Sequence, residues 1–363
     1  MSVNRLQRAV EHVRPAVRHQ HAYLVGGEKA PVPIKLNQNE SPLDLPEDLK
    51  AEILQGWASI AANRYPAEQP ADLCDAIAEY AGWVPEGIMA GNGSNELTYL
   101  IGMACVEAGT RVVLPTPMFA FYEKVVRLYG GQVISAESDD ELRFDAQRIA
   151  KLTRQHQPAL VVLVSPNNPT GMAMTPTDIT AVAEAAPGLV LVDEAYVEFS
   201  GQPSAQALLS AFPHLILLRT FSKALGLAGI RLGYLLGHPA LMRELLKARV
   251  PFMVDRFSQH MALTVLRRPR LLQERIQLMK SGTRHLYQTL CEMPGFRVLP
   301  TEANFVTFRP PQDAGVLMRA LLEQGIIVRN MSGYRELDGF LRVNSGTPEE
   351  NRAFIQALQD VRA

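Results

Sequence analysis

The sequence predicts an α/β protein, with a large domain built on a mostly parallel sheet flanked by helices and a small α+β domain after it. Apolar runs at residues 112–114, 133–135, 160–164, 189–192 and 215–218 are separated mostly by helical stretches of ten or more residues. Such alternation argues for parallel strands joined by crossover helices. At 363 residues the chain is long enough for two lobes. Near residue 257 the pattern changes to a long helix, about 271–293, and then short strands. The expected division is therefore an N-terminal arm and part of the small domain at 1–45, the large domain at 46–256 and the C-terminal small domain at 257–363.

Residues 2–20 read as a helix or arm, with apolar positions at Leu6, Ala9, Val10 and Val13. The polar loop Leu36-Asn37-Gln38-Asn39-Glu40-Ser41-Pro42 has little propensity for regular structure. Pro46-Glu47-Asp48 opens a helix, with proline in the first turn and acids at the positive end of the dipole. Asn63-Arg64-Tyr65-Pro66 is a loop, and another helix starts at Pro70. Ile88-Met89-Ala90 followed by Gly91-Asn92-Gly93-Ser94-Asn95-Glu96 reads as strand, glycine turn and helix start, a geometry that offers free backbone N–H groups to an anion. In the last third, strands are expected at 296–299, 304–308, 326–328 and 340–343. A helix ends at Gly325, and Thr347-Pro348-Glu349-Glu350 is a capping box for the final helix.

Composition narrows the function classes. A formal net charge of −1 with 20% charged residues gives no footprint for nucleic acid or a membrane surface. The apolar runs are too short for a transmembrane helix, and the Arg-rich N-terminus lacks the apolar core of a secretory signal. Three widely spaced cysteines form no metal-ligand spacing and suit a reducing cytoplasm.

Ligands of open α/β sheets sit beyond the carboxyl ends of the strands, so the strand exits matter most. The run 112–114 leads to Phe119, 160–164 to Asn168, and 189–192 to Asp193-Glu194-Ala195-Tyr196. The run 215–218 leads to Thr220-Phe221-Ser222-Lys223, with Arg231 eight residues on. Each residue alone has an ordinary explanation: a core aromatic, a turn former, a helix cap, a surface lysine. Together they supply an anion cradle beside an amine nucleophile of the kind that condenses with pyridoxal 5'-phosphate (PLP). They also supply a buried anion, hydrogen-bond donors and a flat aromatic face for such a ring.

The segment 220–234 resembles the signature of PLP-dependent aminotransferases of the aspartate aminotransferase superfamily. The resemblance covers nearly the whole chain and is nearest to the histidinol-phosphate aminotransferases, through Asn63-Arg64-Tyr65-Pro66, residues 165–171, 192–199 and 341–351. It implies that Lys223 bonds to the cofactor aldehyde and then shuttles a proton. By the same resemblance, Asp193 pairs with the ring nitrogen, Asn168 and Tyr196 bond the ring oxygen, and Phe119 stacks on the ring. The phosphate would rest on Gly93, Ser94 and Asn95 with Thr220, Ser222 and Arg231, and Tyr65 would reach the cofactor of a second subunit in a homodimer. Arg342 would take the α-carboxylate of 2-oxoglutarate, and Arg329 and Tyr23 a distal phosphate on the amino donor. The N-terminal loop containing Asn39 would approach the substrate. Asn95 and Thr220 stand where the family often has Asp and Ser, both still able to hydrogen-bond. Ser41 replaces a common asparagine in the N-terminal loop.

Three rivals follow. A PLP decarboxylase of threonine phosphate would use the same cofactor set, and an aromatic-amino-acid aminotransferase is the nearest alternative within the class. A transcription regulator on this fold would need a DNA-binding segment ahead of the large domain, for which the first 40 or so residues are too few.

Overall fold

The computed structural model describes residues 2–20 and 32–361. The arm consists of α1 (Ser2–Glu11) and α2 (Pro15–Arg18), with Leu6, Val10, Val13 and Val17 exposed. The short β1 (Ile34–Lys35) follows, then α3 (Glu47–Trp57) and α4 (Ala71–Ala81), which begin directly after Pro46 and Pro70.

The large domain is organised by a seven-stranded sheet. Its strands are β2 (Ile88–Gly91), β3 (Arg111–Thr116), β4 (Gln132–Glu137), β5 (Leu160–Val164), β6 (Leu189–Asp193), β7 (Leu215–Thr220) and β8 (Gly233–Gly237). They lie in the order β2-β8-β7-β6-β5-β3-β4. The strands from β3 to β7 pair in parallel, whereas β8 runs antiparallel to both its neighbours. Five helices accompany them: α5 (Ser94–Cys105), α6 (Phe121–Leu128), α7 (Ala146–His156), α8 (Pro176–Ala185) and α9 (Pro239–Leu246).

Every residue of β5 and β7 is buried, which is why β5 and the first four residues of β7 read as unbroken apolar runs. Successive side chains feed opposite faces. Leu215 and Leu217 join one hydrophobic cluster, and Ile216 and Leu218 the other. Each fully buried aliphatic side chain of this kind contributes about 1.5–3 kcal/mol of transfer free energy. The sequence reading leaves β8 unassigned, because Gly233-Tyr234 reads as the tail of the lysine segment. In the structure Leu235 and Leu236 divide between the two clusters, so this short run also serves both faces.

After residue 255 come α10 (Arg256–Leu266) and the long α11 (Pro269–Glu292). The expected boundary near residue 257 falls in the first turn of α10. This helix packs on α3 and α4, and its Ala262 and Val265 lie in the hydrophobic cluster of the large sheet. Beyond it are β9 (Arg297–Val298), β10 (Phe305–Arg309) and α12 (Ala314–Glu323), then β11 (Ile326–Ile327) and β12 (Arg329–Asn330), and finally β13 (Leu341–Asn344) and α13 (Pro348–Asp360). A four-stranded antiparallel sheet has the order β12-β13-β10-β9. The strand expected at 326–328 is found as β11, which pairs in parallel with β1, while the following β12, outside those bounds, joins β13. The capping box forms between Thr347 and Glu350 as read from the sequence. Phe308, Leu317, Val343 and Phe354 centre a separate core here.

Candidate active site

The polar residues that follow β2, β5, β6 and β7 converge at one end of the large sheet. Asp193 ends β6 and is 7% exposed. Its carboxylate accepts a hydrogen bond from the Tyr122 hydroxyl at 2.7 Å and one from the Ala195 backbone N–H at 3.0 Å. Burial pushes its pKa up to about 6, and these two donors hold it from rising further. Tyr122 is a site residue that sequence reasoning missed. It lies three residues past Phe119 at the start of α6, and an aromatic opening a helix gives no sign that its hydroxyl has a carboxylate partner.

Lys223 lies just beyond β7 and donates from Nζ to the Gln38 carbonyl at 2.8 Å. The ammonium is 6.0 Å from the centre of the Tyr196 ring. Enclosure in protein, followed by the charge of Arg342, lowers the Lys223 pKa to about 7. The neutral, nucleophilic amine is thus the major form above that pH.

Tyr196 is buried, and its hydroxyl accepts from Asn39 Nδ2 at 2.9 Å and from Asn168 Nδ2 at 3.5 Å. Burial raises its pKa to about 12, so the phenol stays protonated. The Asn168 carbonyl oxygen accepts from Arg342 Nη1, and Arg342 Nη2 donates to the Asn37 carbonyl at 3.2 Å.

The segment 37–39 therefore supports three site residues, two of them through main-chain carbonyls. Asn39 adopts a left-handed φ of 55°, which asparagine tolerates better than most residues. Its backbone N–H donates to Asn344 Oδ1 at 3.0 Å, so the loop is tied to both lobes.

The turn from β2 to α5 forms the cradle expected from the glycines. Gly93 has φ 86° and caps α5 without a side-chain hydrogen bond, leaving first-turn N–H groups at Ser94 and Asn95 for another acceptor. A Cβ on Gly93 would stand 2.7 Å from Arg231 Nη2, so glycine is required for the guanidinium to close against this turn. Arg231 also donates to Ser222 Oγ at 3.4 Å, and Thr220 Oγ1 accepts from the Ser222 N–H at 3.1 Å. Phe119 is half-buried, with its ring centre 6.3 Å from that of Tyr122. The donor set and the open helix start fit a phosphate, and the nearby carboxylate, amine and aromatic face fit an aldehyde-bearing ring.

Arg329 lies directly opposite Arg342 in the antiparallel register of β12 and β13. Residues so paired project to the same face of a sheet. Tyr65 stands apart from this group: it is 81% exposed and stacks on Phe252 with ring centres 4.8 Å apart. Tyr23 lies outside the described residues. Among the described residues there is no cluster of His, Cys, Asp and Glu suited to a metal ion, and no helix long and apolar enough to cross a membrane.

A sequence model of class I and II aminotransferases matches residues 31–358. The chain is 40% identical over 350 residues to the histidinol-phosphate aminotransferase of Chlorobium phaeovibrioides, covering 96% of each chain. It is 39% identical over 348 residues to that of Chlorobaculum tepidum, covering 96% of this chain and 99% of the relative. Among solved structures, the histidinol-phosphate aminotransferase of Sinorhizobium meliloti in complex with pyridoxal-5'-phosphate aligns with a TM-score of 0.86 at 26% identity, covering 96% of this chain and 97% of the other.

Proposed function

From the premise that this chain belongs to the class I and II aminotransferases, we propose that it moves the amino group of histidinol phosphate to 2-oxoglutarate with PLP as cofactor. The observation that carries the choice of donor is the Arg329–Arg342 pair. Like charges directly opposite in a sheet are destabilising, and a phosphate or carboxylate between them reverses the sign. Arginine suits both anions because its planar fork bonds two oxygens at once.

Bound PLP supplies the electron sink that stabilises a carbanion at the amino-bearing carbon. The chain's own residues do the rest. The Gly93 turn, Thr220, Ser222 and Arg231 would hold the phosphate, and Asp193 would hold a negative charge against the ring nitrogen. Asn168 and Tyr196 direct donors at the ring oxygen, with Asn39 and Arg342 fixing their orientation. Phe119 would offer its face to the ring. The Lys223 amine, neutral above about pH 7, would shuttle the proton from the substrate carbon to the cofactor. Arg342 receives the α-carboxylate of 2-oxoglutarate, and Arg329 adds the second cation that a phosphate dianion needs.

Losing one charge-assisted contact costs about 1.5–3 kcal/mol. Arg329→Ala should therefore lower kcat/KM for histidinol phosphate by roughly 10- to 150-fold, whereas phosphate-free histidinol should react poorly with wild type and lose little further. Wild-type protein that uses histidinol or phenylalanine as well as histidinol phosphate would instead be an aromatic aminotransferase. Carbon dioxide release from threonine phosphate would make it a decarboxylase.

We further propose that two copies associate and that Tyr65 serves the neighbouring site. Its exposure supports this, together with that of Phe252, on which it stacks, and of Val250, at 42% and 57%. Mixing Lys223→Ala with Tyr65→Ala protein, under conditions where subunits exchange, should recover activity. One site in each hybrid then carries both native residues. No recovery in proven hybrids would place Tyr65 outside the chemistry.

A further inference from the structure

On the far side of the sheet from Asp193 lies a group of buried charges to which the reaction assigns no role. Side chains alternate along a strand, and the ladder continues one residue past β6, where the Glu194 N–H donates to the Leu218 carbonyl at 2.8 Å. Asp193 therefore faces one side and Glu194 the other, where Arg219 of β7 meets it. The Glu194 carboxylate is 2% exposed and Arg219 is 6% exposed. Arg219 donates from Nε to Glu194 Oε2 at 2.9 Å, and its Nη2 forms an ion-pair contact with the same oxygen at 2.9 Å. The carboxylate also accepts from Ser204 Oγ at 2.9 Å and the Ala205 N–H at 2.7 Å, and Arg219 Nη2 reaches Ser204 Oγ at 2.7 Å.

Two tyrosines and a second acid complete the surroundings. Tyr234 of β8 sits opposite Arg219 in the β7–β8 register. Glu198, two residues past Tyr196, accepts from the Tyr80 hydroxyl of α4 at 3.4 Å. Enclosure pushes Glu198 up to about 7, and Arg219 opposes that rise. On the other face Asp193 meets Tyr122 of α6 and feels the charges of Glu194 and Lys223. One cation thus serves two acids beside a third that the chemistry needs ionised.

Stability does not explain such a pair, since buried ion pairs are often replaced by apolar residues at no loss. Its place does. Glu194 is bonded directly to Asp193, and Arg219 precedes Thr220 of the phosphate cradle. We propose that Arg219 is a positioning residue for PLP capture: by pairing with Glu194 it fixes the ends of β6 and β7 together and offsets the Glu194 charge that bears on Asp193. This rests on the aminotransferase reading.

The test is PLP affinity by equilibrium dialysis against pH, using full-length wild type, Arg219→Met, Glu194→Gln and the double variant. Binding needs ionised Asp193, so affinity falls on the acid side, and the titration of PLP itself is common to all four proteins. Arg219→Met should move the acid midpoint up by about one pH unit, the low end of what a neighbouring charge does. Glu194→Gln should move it down, and the double variant should return it close to wild type. A purely structural pair weakens binding at every pH and leaves the midpoint in place; that result, or a shift of both single variants in one direction, overturns the proposal. If Arg219→Met does not fold, an unmoved midpoint in Glu194→Gln overturns it and a downward shift supports it. Wild type that takes up no PLP sinks the aminotransferase reading and this proposal together, whereas unmoved midpoints sink this proposal alone.

Discussion

Lys223→Ala protein is expected to lose transamination by at least about 10²–10⁴-fold, the share that positioned proton transfer alone supplies. The same substitution removes the covalent attachment, so the total loss should lie beyond that range. The structure gives the lysine one polar anchor, the Gln38 carbonyl, and a pKa lowered to about 7. Sodium borohydride should fix PLP to the wild-type chain at Lys223 and leave Lys223→Ala unlabelled, as read by mass spectrometry. A Lys223→Ala protein that transaminates near the wild-type rate would remove the lysine from the mechanism.

The second large effect is expected at Asp193. Asp193→Asn keeps the size of the side chain and one acceptor but removes the charge in a site shielded from water. Its amide can satisfy only one of the two donors, Tyr122 and the Ala195 N–H, that the carboxylate accepts from. Taking away one preorganised electrostatic partner costs roughly 10²–10³-fold in kcat, and that is the expected loss here, with PLP still bound. Tyr122→Phe removes a donor and leaves the charge, so it should cost less. Steady-state kinetics at saturating PLP separate the two. Activity of Asp193→Asn within a few-fold of wild type would leave the carboxylate with only the task of capping the turn after β6.

Side-chain chemistry at strand exits was legible in the sequence because a polar residue ending an apolar run has to have a partner. Asp193, Asn168, Thr220 and Lys223 stood out for this reason, and the structure brings them to one end of the sheet. Backbone groups leave no such trace. Nothing about Asn37 or Gln38 as residue types says that their carbonyls hold Arg342 and Lys223. The Tyr122 hydroxyl was hidden in an aromatic cluster, and β8 was hidden by its closeness to the lysine signature. The place of α10 was obscured for a different reason. The sequence reading names no helix at 256–266, and which domain a helix packs on is decided by contacts with α3 and α4, more than 170 residues earlier in the chain.

The pairing of β1 with β11, Ile34 against Ile326, sets the order in which the site can be completed during synthesis. N-terminal segments leave the ribosome first, and domains fold as units once their residues are available. The seven-stranded sheet needs nothing beyond residue 237. Segment 37–39, which follows β1, can meet Tyr196 and Lys223 earlier, but its contacts to Arg342 and Asn344 and the β1–β11 pairing that anchors it form only once residues 326–344 have emerged. A ribosome that has made the whole large sheet therefore still carries an open cleft, and the first segment of the site to be translated is among the last to be set in place.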